Sequence, residues 1–167
     1  MADKSRTHLG AGRAAQGRPF QGDDAGQMTP AASVLAYRTA MTAGPFVDSL
    51  QGDLRQIACS LRHGDLYPAL EALEASTDRL QRFLTYVVVA SEVLMDRHAS
   101  LGAVVANYGS RLLGVLGHIE ETLDEGDLVG LALALEHGLV GSLEEYRGYE
   151  ADVQRALSRV AAMQMAA

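Results

Sequence analysis

The chain has 167 residues, enough for one domain of ordinary size, and its net charge of −7 argues against nucleic-acid binding because an acidic surface repels phosphates. Hydrophobic residues make up 48% of the chain but aromatic residues only 5%, which favours a helical core of Leu, Val and Ala over a β-sandwich. A single cysteine, Cys59, cannot form an intramolecular disulfide, and the lack of an apolar signal segment near Met1 adds to the expectation of a cytoplasmic protein.

The N-terminal residues 1–29 do not have the pattern of a folded element. They are rich in glycine, carry scattered charges and show no apolar period, so we expect a disordered tail. A second interpretation is a short arm that docks on a partner through Arg13, Arg18 and Phe20.

Proline and glycine divide the next segment into two predicted helices. Thr29-Pro30 predicts a helix start, because threonine caps helix N-termini and proline suits the first helical position. Gly44-Pro45 predicts a break, so we expect a short capping helix at 30–43. The apolar residues that follow, spaced alternately three and four, predict another helix: Val47, Leu50, Leu54, Ile57 and Leu61.

A long helix at 66–97 organises the rest of the chain. Every seventh residue in it is apolar: Leu66, Leu73, Leu80, Val87 and Leu94. Such a repeat places one apolar stripe along a helix that packs lengthwise against other helices. The nearly apolar run at 83–95 is too short to span a bilayer, so no membrane span is expected.

An internal repeat predicts how the helices pair. Gly64-Asp65-Leu66 recurs 62 residues later as Gly126-Asp127-Leu128. Glycine and aspartate suit a tight turn between two helices, so we expect one hairpin at 45–97 and another at 100–164. Together they predict an all-α, antiparallel four-helix bundle with both turns at one end. The carboxylates between Glu120 and Asp127 predict an acidic patch there.

No motif predicts a metal or cofactor site. Helical bundles that bind two metal ions use Glu-x-x-His pairs, and no histidine from His63 to His137 has a glutamate three residues before it. The acidic run at 120–127 lacks the alternating spacing of a calcium loop and is better interpreted as a solvated turn. Cys59 lies beside an apolar stripe without an adjacent base, as expected for a structural thiol.

One stretch resembles a catalytic signature. His137-Gly138-Leu139-Val140-Gly141-Ser142 resembles the His-x-Leu-Lys-Gly-Ser signature of histidine phosphotransfer domains, which are acidic helical bundles. The resemblance implies that an exposed His137 carries a phosphoryl group received from a partner domain. Val140 stands where that family has its lysine. Close approach of a neighbouring helix is the alternative explanation for the glycines at 138 and 141.

The overall layout, from about Pro30 to Val160, resembles the FliS-type flagellar export chaperones and other bacterial helical-bundle proteins. The resemblance lies in long helices, short turns and the segment from Leu123 to Tyr149, where a short turn leads into an amphipathic helix. The early tyrosine of that family is missing here. The resemblance implies a cytoplasmic protein that holds an export substrate in an apolar groove.

These observations predict a non-enzymatic adapter or chaperone with no cofactor. Its partner is expected to be another protein, bound as a helix or an extended segment. The predicted groove is lined by Phe83, Val87, Leu94, Val153 and Leu157, and the helix at 30–43 is its lid. Two alternatives stay open: phosphotransfer through His137, and a structural homodimer that forms through the heptad helix at 66–97.

Overall fold

A computed structural model describes residues 30–166, so the predicted disordered tail at 1–29 lies outside the described residues. These residues form an all-α, antiparallel four-helix bundle, as predicted. The elements are α1 (Pro30–His63), α2 (Leu66–Arg97), α3 (Ala99–Asp124), α4 (Leu128–Leu133), a π-helical segment (Ala134–Leu139) and α5 (Val140–Met165). Helix α4, the π-helical segment and α5 follow one another without a break and make the fourth rod of the bundle. None of the described helices is apolar over a stretch long enough to cross a membrane.

The order of ion pairs between neighbouring helices shows the antiparallel arrangement. Arg79 of α2 pairs with Asp53 of α1. The later residue Arg62 of α1 pairs with the earlier residue Glu136 of the fourth rod, whereas Arg55 pairs with Glu144 at 2.6 Å. The partners therefore run in opposite directions along the two rods. The start of α1 lies beside the second half of α5, where the Gln154 amide donates to the carbonyl of Ala40.

Helix α1 corrects the prediction of a separate capping helix at 30–43. The helix continues through Gly44 and Pro45 to His63, so the first hairpin spans 30–97 rather than 45–97. Proline has no N–H for the carbonyl of Met41, which costs about 3 kcal/mol or more in a helix interior. Burial on both sides of the proline offsets this cost, because one buried stripe with steps of four and three residues runs through it: Ala36, Ala40, Ala43, Val47, Leu50, Leu54, Ile57 and Leu61.

Gly44 allows this continuous helix to approach α5 closely. A Cβ atom at this position would meet the side chains of Arg147 and Glu150. Glu150 is buried, and its carboxylate accepts hydrogen bonds from Arg147 and, at 2.9 Å, from Gln154. The Gln154 amide also donates to the carbonyl of Ala40. The glycine predicted to break a helix therefore makes room for a polar network between α1 and α5.

The two repeated turns have the same geometry, which confirms the prediction for their glycines. Gly64 has φ of +85° and Gly126 has φ of +70°, a conformation that L-residues with a Cβ rarely adopt. In each turn the following aspartate N–H donates to a carbonyl five residues earlier, from Asp65 to Ser60 and from Asp127 to Thr122, both at 3.0 Å. This pair of hydrogen bonds ends α1 and α3 in the same way.

The π-helical segment was not predicted, but its leucines explain it. Leu131, Leu135, Leu139 and Leu143 follow one another at steps of four and are all fully buried. In a continuous α-helix, three successive steps of four would rotate the last leucine away from the first. The wider i→i+5 turn of a π-helix keeps them on the same face of the rod. The core contacts of these leucines therefore favour the π-helical turn.

An aromatic cluster fills the middle of the bundle. Tyr146 lies at its centre, with ring centroids 5.2 Å from Phe83 and 5.6 Å from Tyr149. The Tyr146 and Tyr86 hydroxyls are hydrogen-bonded at 2.8 Å. Among the described residues, the buried hydroxyls of Tyr108 and Tyr149 have no hydrogen-bond partner. Burial raises the pKa of all four tyrosines, so their phenols stay protonated at neutral pH.

The heptad stripe of α2 is used inside the same chain. Leu73, Leu80, Val87 and Leu94 are buried in the bundle core, and only the first member, Leu66, is substantially exposed. A homodimer through this stripe would require the bundle to open and remove these side chains from its own core. The homodimer stays a prediction, and forming it through this stripe would cost the free energy of burying these side chains in the bundle core.

Candidate functional site: the α1–α2 groove

A groove runs along the bundle between the first half of α1 and the middle of α2. Two adjoining cavities, of about 520 and 250 Å³, share Thr39, Arg82 and Tyr86 as lining residues. We define the α1–α2 groove by Leu35, Thr39 and Phe46 on α1 and Arg82, Tyr86 and Val89 on α2. From Leu35 to Phe46 the groove extends roughly 17 Å, given a rise of 1.5 Å per residue.

Small side chains on α1 explain why the groove exists. Ala36 and Ala43 face α2 along the groove and are too short to fill the space between the helices. The aromatic side chains of Phe83 and Tyr86 form the floor, and Phe46 lines its far end. The guanidinium of Arg79 lies 5.3 Å from the Phe46 ring centroid and fixes that end by a cation–π contact.

The groove combines an apolar floor with polar edges. Leu35 is 63% exposed at its rim, although leucine is usually buried. Thr39, Gln81 and Thr85 add polar atoms that can hydrogen-bond to an occupant. Burial raises the pKa of Tyr86 to about 12, and its hydroxyl is hydrogen-bonded to that of Tyr146, so Tyr86 adds uncharged contact area to the groove. An apolar floor with polar edges suits an occupant that has both apolar and polar groups.

The predicted groove residues lie mainly elsewhere. Phe83 lines the smaller cavity, whereas Val87, Leu94, Val153 and Leu157 are buried in the core and line neither cavity. The segment at 30–43, predicted as a lid, is instead part of α1 and forms one wall of the groove. A role in partner binding for the four buried residues stays a prediction, and the open apolar surface is formed by other side chains.

The heptad pattern did not predict four of the groove residues: Leu35, Arg82, Tyr86 and Val89. Each lies off the seven-residue stripe used to assign the core. The available signal was a surplus of apolar residues on α2, where the run Tyr86-Val87-Val88-Val89 is wider than one heptad stripe requires. These α2 residues pack beside the first half of α1 because α1 continues through Pro45.

His137 lies on the π-helical segment, with its side chain exposed as predicted from its position off the leucine stripe. Its neighbour Glu136 pairs with Arg62, whose hydrogen bond and charge hold the pKa of Glu136 below its usual range. Val140 is apolar and buried, so this position offers no charged group to a phosphoryl group on His137. A Cβ at Gly138 would lie 3.1 Å from Val115, which supports close helix approach as a reason for that glycine.

The bundle thus has two candidate sites, the α1–α2 groove and the exposed His137. No family model, curated protein or solved structure matches this chain. The resemblance to FliS-type export chaperones stays a prediction, and so does the resemblance to phosphotransfer domains.

The two Gly-Asp turns lie at one end of the bundle, where exposed carboxylates of the second turn gather. Asp127 caps α4 by accepting a hydrogen bond from the N–H of Gly130 at 2.8 Å. Glu121 lies 3.6 Å from the ring of His118. Across residues 30–166, no three His, Cys, Asp or Glu side chains converge as a metal site requires. Asp127 thus has a local structural role as the cap of α4.

Proposed function

We propose that this protein is a non-enzymatic adapter or chaperone that holds a segment of a partner protein in the α1–α2 groove. The observation that carries the proposal is an apolar, aromatic-floored groove that is open along its length. Its two cavities fall within, or close to, the 300–1,000 Å³ typical of binding sites. A cytoplasmic location and an export substrate as partner, as in FliS-type chaperones, belong to the same proposal.

A polypeptide segment suits the shape of the groove better than a compact ligand does. A length of roughly 17 Å corresponds to about three turns of a partner helix, each turn presenting one apolar side chain. The polar edge residues Thr39 and Thr85 can face the backbone or polar side chains of such a helix. Leu35 at the rim can then be buried against the bound segment.

Replacing Leu35 with aspartate is expected to weaken binding of an amphipathic helical probe. The probe is a fluorescein-labelled peptide of about 16 residues, with a leucine stripe and glutamine elsewhere, whose binding is measured by fluorescence anisotropy. Loss of the leucine contact and burial of a carboxylate should raise Kd by at least about tenfold.

Leu113→Asp is the matched control, because Leu113 is 56% exposed on α3, outside the groove, and the substitution changes the charge equally. It should leave Kd unchanged. Equal weakening by the two substitutions would contradict the proposal, as would a probe that shows no saturable binding to the unmodified protein.

Exposure of His137 on a π-helical turn favours a second candidate function, transfer of a phosphoryl group through its ring nitrogen. π-helical turns within helices are frequent at functional sites. The nearest cations on α1, Arg62 and Arg55, are already paired with Glu136 and Glu144. A phosphoryl group on His137 would therefore have to draw these guanidiniums away from their carboxylates.

Phosphoramidate, which donates a phosphoryl group to histidine, should label His137 if this second function holds. His137→Ala should then remove the label seen by intact mass and by phosphorus NMR at alkaline pH. His118→Ala is the control, because His118 is also exposed and lies on α3. Labelling that persists in His137→Ala, or that falls equally in both variants, would contradict phosphotransfer at His137.

A further inference from the structure

The charged groups of the α1–α2 groove include two arginines without a carboxylate partner. Of the ten arginines between residues 30 and 166, seven pair with a carboxylate within 4 Å. Arg38, Arg82 and Arg159 are the remaining three among the described residues. Arg82 lines both cavities of the groove, and Arg38 lines the surface that adjoins Leu35 at the start of the groove.

This distribution is unexpected for an acidic protein. The chain has 21 acidic side chains against 14 basic ones, so most arginines find a carboxylate nearby. The one carboxylate among the residues that line the two cavities is Asp78, one turn before Arg82 on α2. Arg38, Arg82 and Asp78 together leave the groove with a local charge of +1, opposite in sign to the whole chain.

We propose that the partner segment carries acidic side chains beside its apolar ones, and that these carboxylates pair with Arg82 and Arg38. This inference rests on the proposed function and specifies the chemistry of the partner. A guanidinium offers two parallel N–H donors to a carboxylate, and the pairing strengthens when an occupant excludes water. The apolar floor supplies contact area, while the two arginines set the orientation and specificity of the bound segment.

The net charge of −7 does not prevent an acidic segment from binding here. At physiological ionic strength, charges more than about 8 Å apart are largely screened from one another. The nearest charges therefore dominate. Asp78 lies one turn from Arg82 on α2, and the charge of Arg79, which contacts Phe46 at the far end of the groove, is paired with Asp53. The acidic turns at 64–65 and 125–127 lie at the opposite end of α1 from Arg38.

Three labelled peptides with the same leucine stripe test this proposal. Their polar positions are glutamate, glutamine or lysine, and Kd is measured by anisotropy at two salt concentrations. The glutamate peptide should bind about tenfold more tightly than the glutamine peptide, and the lysine peptide most weakly. Arg82→Gln should reduce this preference to about twofold, and Arg38→Gln should reduce it less.

Arg159→Gln is the matched control, since Arg159 is also exposed and without a partner in the described chain but lies on α5. It should leave the preference for glutamate unchanged. Equal binding of the glutamate and glutamine peptides would overturn the proposal, as would an equal loss of preference in Arg159→Gln. If Leu35→Asp still weakened the glutamine peptide in that case, the groove function would stand without its acidic partner.

Two other outcomes would assign the groove differently and overturn the proposal. Binding of none of the peptides would overturn the groove function together with the acidic partner. A dimer in sedimentation experiments that dissociates when a peptide is added would show that a second copy of this chain occupies the groove.

Discussion

Gly102→Ala is expected to destabilise the bundle, although alanine usually stabilises a helix relative to glycine. A Cβ at this position would lie 2.6 Å from the backbone N and 2.8 Å from the Cα of Met95. Backbone atoms cannot move aside as a side chain can, so the tight connection between α2 and α3 would have to shift. We expect a loss of about 1–3 kcal/mol in the free energy of unfolding, measured by urea denaturation.

Gly114→Ala in the same helix is the control for this prediction. A Cβ there would meet no atom within 4 Å, so only the backbone entropy of glycine is removed. The free energy of unfolding should rise by about 0.5–1 kcal/mol. A change of stability in the same direction for both substitutions would contradict the close contact between Gly102 and the Met95 backbone.

Tyr146→Phe is expected to cost about 1–3 kcal/mol in the free energy of unfolding, although it removes a single oxygen atom. The Tyr146 hydroxyl is hydrogen-bonded to that of Tyr86, and both lie in the buried aromatic cluster. Its removal leaves the Tyr86 hydroxyl buried without this partner, while the ring contacts with Phe83 and Tyr149 are kept. Thermal or urea denaturation measures the loss.

Tyr108→Phe provides the opposite case within the same cluster. The Tyr108 hydroxyl is buried and has no partner among the described residues, so the folded protein loses no hydrogen bond when it is removed. Removing an unpaired buried polar group should leave stability unchanged or raise it by about 1 kcal/mol. A loss equal to that of Tyr146→Phe would show that the Tyr108 hydroxyl is hydrogen-bonded in the folded protein.

Local patterns predicted the turns correctly because their cause is local. Gly64 and Gly126 adopt positive φ, a requirement set by the helix end itself and satisfied by glycine without strain. The heptad stripe of α2 likewise predicted four of the buried side chains, from Leu73 to Leu94, since periodicity decides the face of a helix, whereas its first member Leu66 is exposed. The all-α, antiparallel bundle follows from these two local rules together.

Pro45 was misinterpreted because its effect depends on distant residues. Proline disfavours a helix interior, but Ala40, Ala43 and Val47 on either side are buried against other helices. The π-helical segment has a similar origin, although the steps of four between Leu131 and Leu143 are visible in the chain. In both places, tertiary burial outweighed the local preference of the backbone.

The sequence by itself determined the helical class, the two Gly-Asp turns and the buried stripes, because each depends on residues within one or two helical turns. Only the tertiary structure decided the location of the α1–α2 groove and which side chains line it. The groove depends on α1 continuing through Pro45 and on short alanines facing α2. Leu35 and Arg82 are 47 positions apart in the chain, and only packing brings them to one surface.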